Sequence, residues 1–246
     1  MPVQAFRKRL ENTEDERRST MNTVYRKELK FPASMYDFAR VDRILALQLQ
    51  RDAHCRDTPY RVRSLYFDSL HDRDLEMGLA GMYRKAKVRL RVYAPDMSLI
   101  KLEHKRKAGS DQIKHSFTLS REQALEVIRG NFSVLLDMQE ERLNELYLEL
   151  TLGGYRPKVI VEYERLAYLY DMGDIRITYD WNVRAAQYTG QFFDEEIHGV
   201  PIQGSDSGVL EVKYNQFLPS FLKETLKSLD KLQTANSKYI ISRLTC

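Results

Sequence analysis

The sequence predicts an α+β protein in which an antiparallel sheet of about eight strands closes into a barrel, forming a tunnel with a charged interior and helices on its outside. Three observations predict this fold. Several segments alternate charged and apolar residues with a period of two, which is typical of strands. The charged faces of these segments together carry ten basic and four acidic residues. Amphipathic helical segments are available to cover the apolar faces.

Five strands are predicted in the first half of the chain, from alternation or from a high content of β-forming residues. The clearest is KVRLRVY, in which a basic residue alternates with Val or Leu. Turns predicted at Ala94-Pro95-Asp96 and Gly109-Ser110-Asp111 separate the last three strands. The five strands are Val24–Phe31, Tyr60–Asp68, Lys85–Tyr93, Leu99–Lys107 and Ile113–Leu119. Three more are predicted in the second half, at Lys158–Ala167, Ile175–Val183 and Val209–Tyr214.

Helices are predicted where apolar residues recur at steps of three and four. The first begins after Pro32 and ends near Arg51. Another opens with a capping box formed by Ser120 and Gln123. This capped helix is Ser120–Arg129. The other predicted helices are Asp72–Leu79, Ser133–Leu152, Phe217–Leu229 and Ser237–Leu244.

The organisation of the chain is predicted from its composition. Residues 1–22 are mostly charged and polar without periodicity, so we expect a flexible leader there. Residues 23–246 contain no repeat, low-complexity tract or Pro/Ser-rich linker, which favours one domain. With 43% hydrophobic and 30% charged residues, this domain has the composition of a globular protein.

Two composition features indicate where the protein acts. Cys55 and Cys246 are the only cysteines, too few for a disulfide framework or a cysteine-based metal site, which favours a reducing compartment. The sequence has no signal-peptide pattern and no run of about 18 uncharged apolar residues, so no transmembrane segment is predicted. We therefore expect a soluble, cytoplasmic protein.

Positive charge is concentrated in one part of the chain. The formal net charge of +4 is too small to indicate a nucleic-acid or membrane partner by itself. Between Arg84 and His115, however, ten basic residues accompany three acidic ones. This region is predicted to meet anions.

The charged strand faces are predicted to line the interior. Their opposite faces, such as Val88, Leu90 and Val92, are apolar and need to be covered by helices. Burying many like charges costs several kcal/mol per ion, so we expect the interior to stay wet or to hold a polyanion. Arg and Lys suit a chain of phosphates, and a carboxylate among them suits Mg²⁺ or Mn²⁺. The basic residues are Arg26, Lys30, Lys87, Arg89, Arg91, Lys101, Lys105, Arg165, Arg176 and Lys213; the acidic ones are Glu28, Glu103, Asp180 and Glu211.

Eight short motifs follow one another along the chain. They are YRKELKF, SLYFDS, KVRLRVY, KLEHKRK, VEYERLAY, IRITYD, LEVKYN and SKYIISRL. No motif is specific alone, and their order on predicted strands carries the signal. From about Tyr25 to Leu244, this series resembles the polyphosphate polymerase domain of the VTC (vacuolar transporter chaperone) family, which belongs to the triphosphate tunnel metalloenzyme, or CYTH-like, superfamily.

The resemblance implies an activity and a set of site residues. It implies that ATP or another triphosphate binds in the tunnel with Mn²⁺ or Mg²⁺, and that the terminal phosphate of ATP passes to a growing polyphosphate chain. By the same resemblance, the catalytic residues are Arg89, Arg91, Lys105 and Arg176, and the phosphate-binding residues are Lys30, Lys101, Tyr163, Arg165, Lys213 and Lys238. Lys238 is expected at one tunnel mouth and Glu211 as the metal ligand, with Glu28, Glu103 and Asp180 as secondary candidates.

Departures from the family pattern leave alternatives open. Hydrolytic members of the superfamily carry ExExK in the first strand, and Arg26 stands here in place of the first Glu, which disfavours a hydrolase. The eukaryotic polymerase assemblies also have an SPX domain and a membrane segment that this sequence does not show, so a separate membrane partner is one expectation. The alternatives are a non-catalytic sensor or scaffold that binds polyphosphate or nucleotide, and a triphosphate hydrolase. Nucleic-acid binding is disfavoured because the basic residues alternate on strands without an exposed aromatic platform.

Overall fold

A computed structural model describes residues 27–55, 58–109 and 111–246 of the chain. The predicted leader, residues 1–22, lies outside the described residues. So do Val24–Arg26, the beginning of the first predicted strand. The α+β class is confirmed, since one large antiparallel sheet is combined with six α-helices within the described part.

Ten strands form this sheet. They are β1 (Lys27–Ser34), β2 (Gln50–Arg51), β3 (Tyr60–Asp68), β4 (Arg84–Ala94), β5 (Ile100–Ala108), β6 (Asp111–Leu119), β7 (Arg156–Tyr170), β8 (Ile175–Ala186), β9 (Val200–Pro201) and β10 (Ser207–Tyr214). The strand order is β1-β10-β8-β7-β3-β4-β5-β6, and the short β2 and β9 pair with β7 and β8. All eight predicted strands are present, with boundaries that differ by up to three residues over the described part.

The helices are α1 (Met35–Gln48), α2 (Arg73–Leu79), α3 (Arg121–Arg129), α4 (Glu141–Leu152), α5 (Ser220–Lys227) and α6 (Lys238–Thr245). The Ser120–Gln123 capping box is confirmed. The prediction of one continuous helix over Ser133–Leu152 was wrong: its first part is a 3₁₀ helix, and Gln139 has a φ of 53° before α4 begins. A left-handed residue cannot continue a right-handed helix, so the segment divides there. Each described helix is too short or too polar to cross a membrane.

The sheet is strongly curved, but the predicted closed barrel was too strict. Within the described residues, β1 and β6 end the hydrogen-bonded path and do not pair with each other. Lys105 Nζ of β5 nevertheless lies 3.6 Å from Glu28 Oε2 of β1, although five strands separate β5 from β1 in the sheet order. The two ends therefore approach each other around one concave side, which we call the inner face. The Thr234 amide donates to the Lys30 carbonyl at 2.9 Å, so part of the β1 edge is occupied by the segment before α6.

The apolar strand faces pack outward, as predicted. Val88, Leu90 and Val92 are fully buried in a cluster that α3 and α4 cover. A second cluster joins the outward residues of β7, β8 and β10 to α1 and α5. Because strand residues alternate between faces, this outer packing leaves the charged rows on the inner face.

One helix was predicted on the wrong side. A third apolar cluster joins Val62 of β3, Val161 and Tyr163 of β7, and Val183 of β8 to Tyr239 of α6, so α6 packs on the inner face. The expectation that all helices lie outside and that the whole interior is charged is therefore corrected. The physical reason is that these inner residues are apolar and are covered best by another apolar side chain.

Candidate functional site

The densest charged cluster lies where β4, β5 and β6 meet. Alternation places Arg89 and Arg91 of β4 on the inner face beside Glu103 of β5. Arg89 Nε donates to Glu103 Oε2 at 2.7 Å, Arg91 Nη1 lies 3.8 Å from the same oxygen, and Lys114 Nζ of β6 contacts Oε1. Burial by itself would raise the pKa of Glu103, but the three cations outweigh it and hold that pKa well below its usual range. Glu103 is thus a fixed anion that orders cations rather than a free metal ligand.

Tyr66 of β3 belongs to this cluster, although the sequence analysis did not select it. Its hydroxyl accepts a hydrogen bond from Arg89 Nη1 at 2.9 Å, and its ring stacks on Tyr239 of α6. Burial would raise the pKa of Tyr66, but Arg89, Lys87 and Arg91 lower it to about 8. The signal that could have identified Tyr66 is its register, because it pairs directly with Arg89 across β3 and β4. Lys114 was also missed, although it alternates on β6 with the outward Ile113.

A second cluster joins β1 and β10. Lys30 Nζ lies 2.9 Å from Glu28 Oε1 and 3.3 Å from Glu211 Oε2, and Lys213 Nζ contacts Glu211 Oε1. Burial would lower the pKa of Lys30, but the two carboxylates raise it above its usual range. Burial would raise the pKa of Glu211, but Lys213 and Lys30 hold it well below its usual range. Lys30 and Glu211 therefore stay charged across ordinary pH.

Lys105 lies opposite this second cluster. Burial, together with the neighbouring cations Lys213, Lys30 and Arg89, lowers the pKa of Lys105 to about 8 against the opposing effect of Glu28. A lysine surrounded by other cations is stabilised in its charged form when an anion binds. A bound anion is therefore expected to favour the charged form of Lys105.

A third cluster lies where β7 and β8 meet α6. Arg165 binds the Asp180 carboxylate through Nε at 2.7 Å and Nη2 at 2.8 Å, and Lys238 Nζ reaches Asp180 Oδ2 at 2.7 Å. The Tyr163 ring centroid lies 5.2 Å from Arg165 Cζ and 4.7 Å from Lys238 Nζ. Asp180 is 1% exposed. Lys238 was expected at a tunnel mouth; its ammonium instead lies inside, because α6 packs on the inner face.

Two predicted residues lie at the margins of the inner face. Arg176 Nη2 lies 2.8 Å from Asp52 Oδ2 and 3.2 Å from the Tyr60 hydroxyl. Lys101 Nζ donates to Thr118 Oγ1 of β6 at 2.7 Å. Asp52 lies just after β2, outside the predicted strands, so its sequence position gave no signal for its role.

The segment before α6 also reaches the inner face. Lys30 Nζ donates to the Asn236 carbonyl at 3.1 Å, and Lys87 Nζ donates to Ser237 Oγ at 2.7 Å. These contacts join β1 and β4 through a segment far away in sequence.

The structure brings all predicted site residues to one face, although they come from six strands and one helix. They are Glu28, Lys30, Arg89, Arg91, Lys101, Glu103, Lys105, Tyr163, Arg165, Arg176, Asp180, Glu211, Lys213 and Lys238.

Few side chains of the inner face are placed to bind a divalent cation. Within the described residues, no group of three or more His, Cys, Asp or Glu side chains is arranged to hold a metal ion. Glu211 and Glu28 both approach Lys30, so two carboxylates lie near one point, and both oxygens of Glu211 contact lysines. Mg²⁺ commonly binds one or two carboxylates and takes its remaining ligands from water and phosphate oxygens. The residues present offer such a cation these two carboxylates, and a cation arriving with its phosphate ligand would compete with Lys30 and Lys213 for Glu211.

The electrostatics of the inner face favour an extended polyanion. Basic residues outnumber carboxylates there, and Glu103, Asp180 and Glu211 are each already paired with two or three cations. The cations are therefore held in fixed positions before any ligand binds, which reduces the cost of reorganisation on binding. Forked and point-charge donors on several strands suit a chain of phosphate groups.

Comparison with known proteins agrees with this fold. The model of the VTC domain family matches residues 25–246. Among solved structures, a putative adenylyl cyclase from Hippeastrum, reported to have a dominant triphosphatase activity, superposes with a TM-score of 0.56 at 14% identity over 89% of this chain and 95% of that one. A putative adenylate cyclase from Bacillus halodurans gives a TM-score of 0.49 at 12% identity over 85% and 92% of the two chains. No curated protein matches in sequence.

Proposed function

Because this chain belongs to the VTC domain family, we propose that it is a metal-dependent polyphosphate polymerase that binds ATP through its triphosphate on the inner face and transfers the terminal phosphate to a growing polyphosphate chain. The observation that supports this most is the convergence of the basic residues on one concave face. The family match supports the resemblance that the motifs indicate, and it covers the whole described part of the chain.

The proposed roles follow from the geometry. Arg89 and Arg91 bind phosphate oxygens from the β4 side, and Glu103, whose Oε2 lies near both guanidinium groups, holds them in position. Arg165 and Lys238, fixed by Asp180, bind from the opposite wall. Phosphoryl transfer needs positioning and positive charge around the transferred group more than it needs a protein nucleophile. Two walls of fixed cations supply both.

The remaining residues complete the proposed site. Four further cations bind phosphates from other strands. They are Lys30 of β1, Lys105 of β5, Lys213 of β10 and Arg176 of β8. Glu211, with Glu28 beside it, would hold Mn²⁺ or Mg²⁺, and the bound cation would neutralise charge on the phosphate oxygens. Lys101 contributes a cation at the edge of the inner face. Tyr163 contributes its aromatic ring, which lies beside Arg165 and Lys238.

The direct test is to incubate the purified chain with ATP and Mn²⁺. We expect ADP and long-chain polyphosphate, measured by chromatography and by gel electrophoresis of the polymer. Glu211→Gln is expected to lower the rate by at least about tenfold, because it removes the carboxylate charge near the proposed cation. Glu224→Gln, on the exposed face of α5, is the matched control and should retain the rate.

Three other outcomes would replace the proposal. Release of inorganic phosphate from tripolyphosphate without chain growth would identify a triphosphate hydrolase, the activity reported for the Hippeastrum protein of similar fold. Tight binding of polyphosphate without turnover, unchanged in Glu211→Gln, would identify a sensor or scaffold. Absence of both binding and turnover would contradict a triphosphate-related function.

The affinity for tripolyphosphate is expected to fall as the pH rises through about 8. The pKa of Lys105 is about 8 in the free protein, chiefly because burial disfavours its charged form. A bound anion raises this pKa, so the contribution of Lys105 to binding is complete below pH 8 and is lost above it, by up to about tenfold per pH unit. Calorimetric titrations at pH 7 and pH 9.5 measure the change.

Lys105→Arg provides the control for this pH dependence, since an arginine stays charged over the whole range. The titration of tripolyphosphate itself is common to both proteins, so the difference between them reports on Lys105. Tyr66, with a pKa of about 8, adds an effect of the same sign, and Tyr66→Phe removes it. An unchanged pH dependence in Lys105→Arg/Tyr66→Phe would contradict this assignment.

A further inference from the structure

A separate cavity lies on the outer face of the sheet. It has a volume of about 380 Å³, is partly open to solvent, and is bounded by α2 and by the adjoining ends of β4, β5 and β6. Met77 of α2, Ala86 of β4, Ala108 of β5 and Ile113 of β6 supply apolar parts of its wall. The volume falls within the range of small-molecule sites, which are mostly apolar with a few polar groups at the edge.

The cavity exists because the outward-facing rows of β4 and β5 continue beneath α2 with small residues. Further along the same faces, Val88 and Leu102 are fully buried beneath the outer helices. Ala86 and Ala108 continue these rows but are too small to fill the space under α2. Alternation places Lys87 on the inner face, but Lys85 and Lys107 of the same rows also line the cavity. The cavity therefore lies at the end of the sheet, and Glu103, Asp180 and Glu211 of the inner face do not line it.

The edge of the cavity is cationic. Arg73 and Arg106 both reach Glu149 of α4, at 3.3 Å and 2.7 Å, so their positions are fixed. The Arg84 side chain is exposed, and its guanidinium makes no hydrogen bond or ion pair with another described side chain. An unpaired arginine beside an apolar cavity is available to an anionic group of a bound molecule.

A buried carboxylate of α2 borders the same cavity. Asp74 is 1% exposed, and its Oδ2 accepts a hydrogen bond from the Tyr155 hydroxyl at 2.9 Å. Its Oδ1 accepts no hydrogen bond within the described part of the chain, and Arg73 Nε is 3.5 Å away. Buried polar atoms without a partner are rare in folded proteins. An N–H or O–H group on a bound molecule would satisfy this oxygen.

We propose that the cavity binds a small organic anion with an apolar body, with its anionic group at Arg84 and its body against Met77, Ala86 and Ala108. Inorganic phosphate and polyphosphate lack the apolar body and do not gain from these walls, so this ligand class differs from that of the inner face. The inference is independent of the proposed polymerase activity.

The experiment uses the full chain and the dye 8-anilinonaphthalene-1-sulfonate, which joins an apolar body and an N–H group to one sulfonate. We expect saturable binding of one dye per chain, measured by fluorescence, and no displacement by tripolyphosphate. Ala108→Leu fills the cavity and is expected to weaken dye binding at least about tenfold, since the dye body loses its place. Arg84→Gln should weaken it about three- to fivefold, the value of an exposed ion pair.

Matched variants keep the test specific. Ala80→Leu adds the same side chain at the exposed end of α2, and Arg129→Gln removes the same charge from α3; both should bind dye as the unmodified chain does. Absence of saturable binding, displacement by tripolyphosphate, or unchanged affinity in a folded Ala108→Leu protein would overturn the proposal. If Ala108→Leu does not fold, unchanged affinity in Arg84→Gln overturns it.

Discussion

Replacing Arg89 and Arg91 together with alanine is expected to weaken tripolyphosphate binding by about 10²- to 10⁴-fold. Each hydrogen bond to a charged group contributes about 1.5–3 kcal/mol, and 1.4 kcal/mol is a factor of ten in affinity. Both guanidinium groups come from one wall of the inner face and converge on Glu103. Isothermal titration calorimetry with tripolyphosphate measures the loss.

The double variant is expected to keep its fold, because Glu103 retains Lys114 as a partner. Adding Glu103→Gln to the double variant removes the remaining carboxylate charge and separates destabilisation from lost binding. Arg129→Ala/Arg142→Ala removes the same charge from the outer helices and should change the affinity by less than about twofold at physiological salt. Binding by the Arg89→Ala/Arg91→Ala protein at the original strength would remove this pair from the site. An equal loss in the outer pair would show that net charge, and not position, governs binding.

Leu90→Asp is expected to abolish the cooperative folded state. Leu90 is 0% exposed in the cluster beneath α3 and α4, where an aspartate would have no partner. Burying an unpaired charge costs several kcal/mol after relaxation, comparable to the 5–15 kcal/mol that stabilises a typical domain. Circular dichroism and urea unfolding measure the outcome.

Two variants define the scale of this effect. Leu90→Ala only removes packing and should lower the free energy of unfolding by about 2–5 kcal/mol. Leu47→Asp introduces the same charge on α1 at a side chain that is 85% exposed, and should change it by less than about 0.5 kcal/mol. A Leu90→Asp protein that unfolds at the same urea concentration as the unmodified chain would show that this strand face is not buried. The assignment of inner and outer faces would then fail.

The carboxylates of the inner face explain how so many cations can be buried before a ligand binds. Glu103, Asp180 and Glu211 each pair with at least two basic side chains. Each pair offsets part of the desolvation penalty of its cations and limits their movement. A polyphosphate would have to compete with these carboxylates, but it would bind cations that are already oriented. This arrangement favours positional selectivity over maximal affinity.

The amino-acid sequence by itself determined the strands, their two faces and the family. Alternation such as that of Arg89, Leu90 and Arg91 is a local property of the backbone, since neighbouring residues of any strand point to opposite sides. The outward burial of the apolar rows follows from the same pattern, because those rows have to leave water. The site residues on β1, β4, β5, β7, β8 and β10 could be selected for this reason.

Only the tertiary structure decided how far the sheet curves and which residues meet across it. The approach of Lys105 to Glu28, the position of α6 on the inner face and the pairing of Arg176 with Asp52 join segments that are far apart in sequence. Such contacts depend on the accumulated twist of many strands and on which apolar surfaces remain uncovered once the sheet has formed. No local sequence pattern indicates the twist of the whole sheet or the apolar surfaces that remain uncovered. The cavity beside Ala108 has the same origin, since it is the space that α2 leaves above two small side chains.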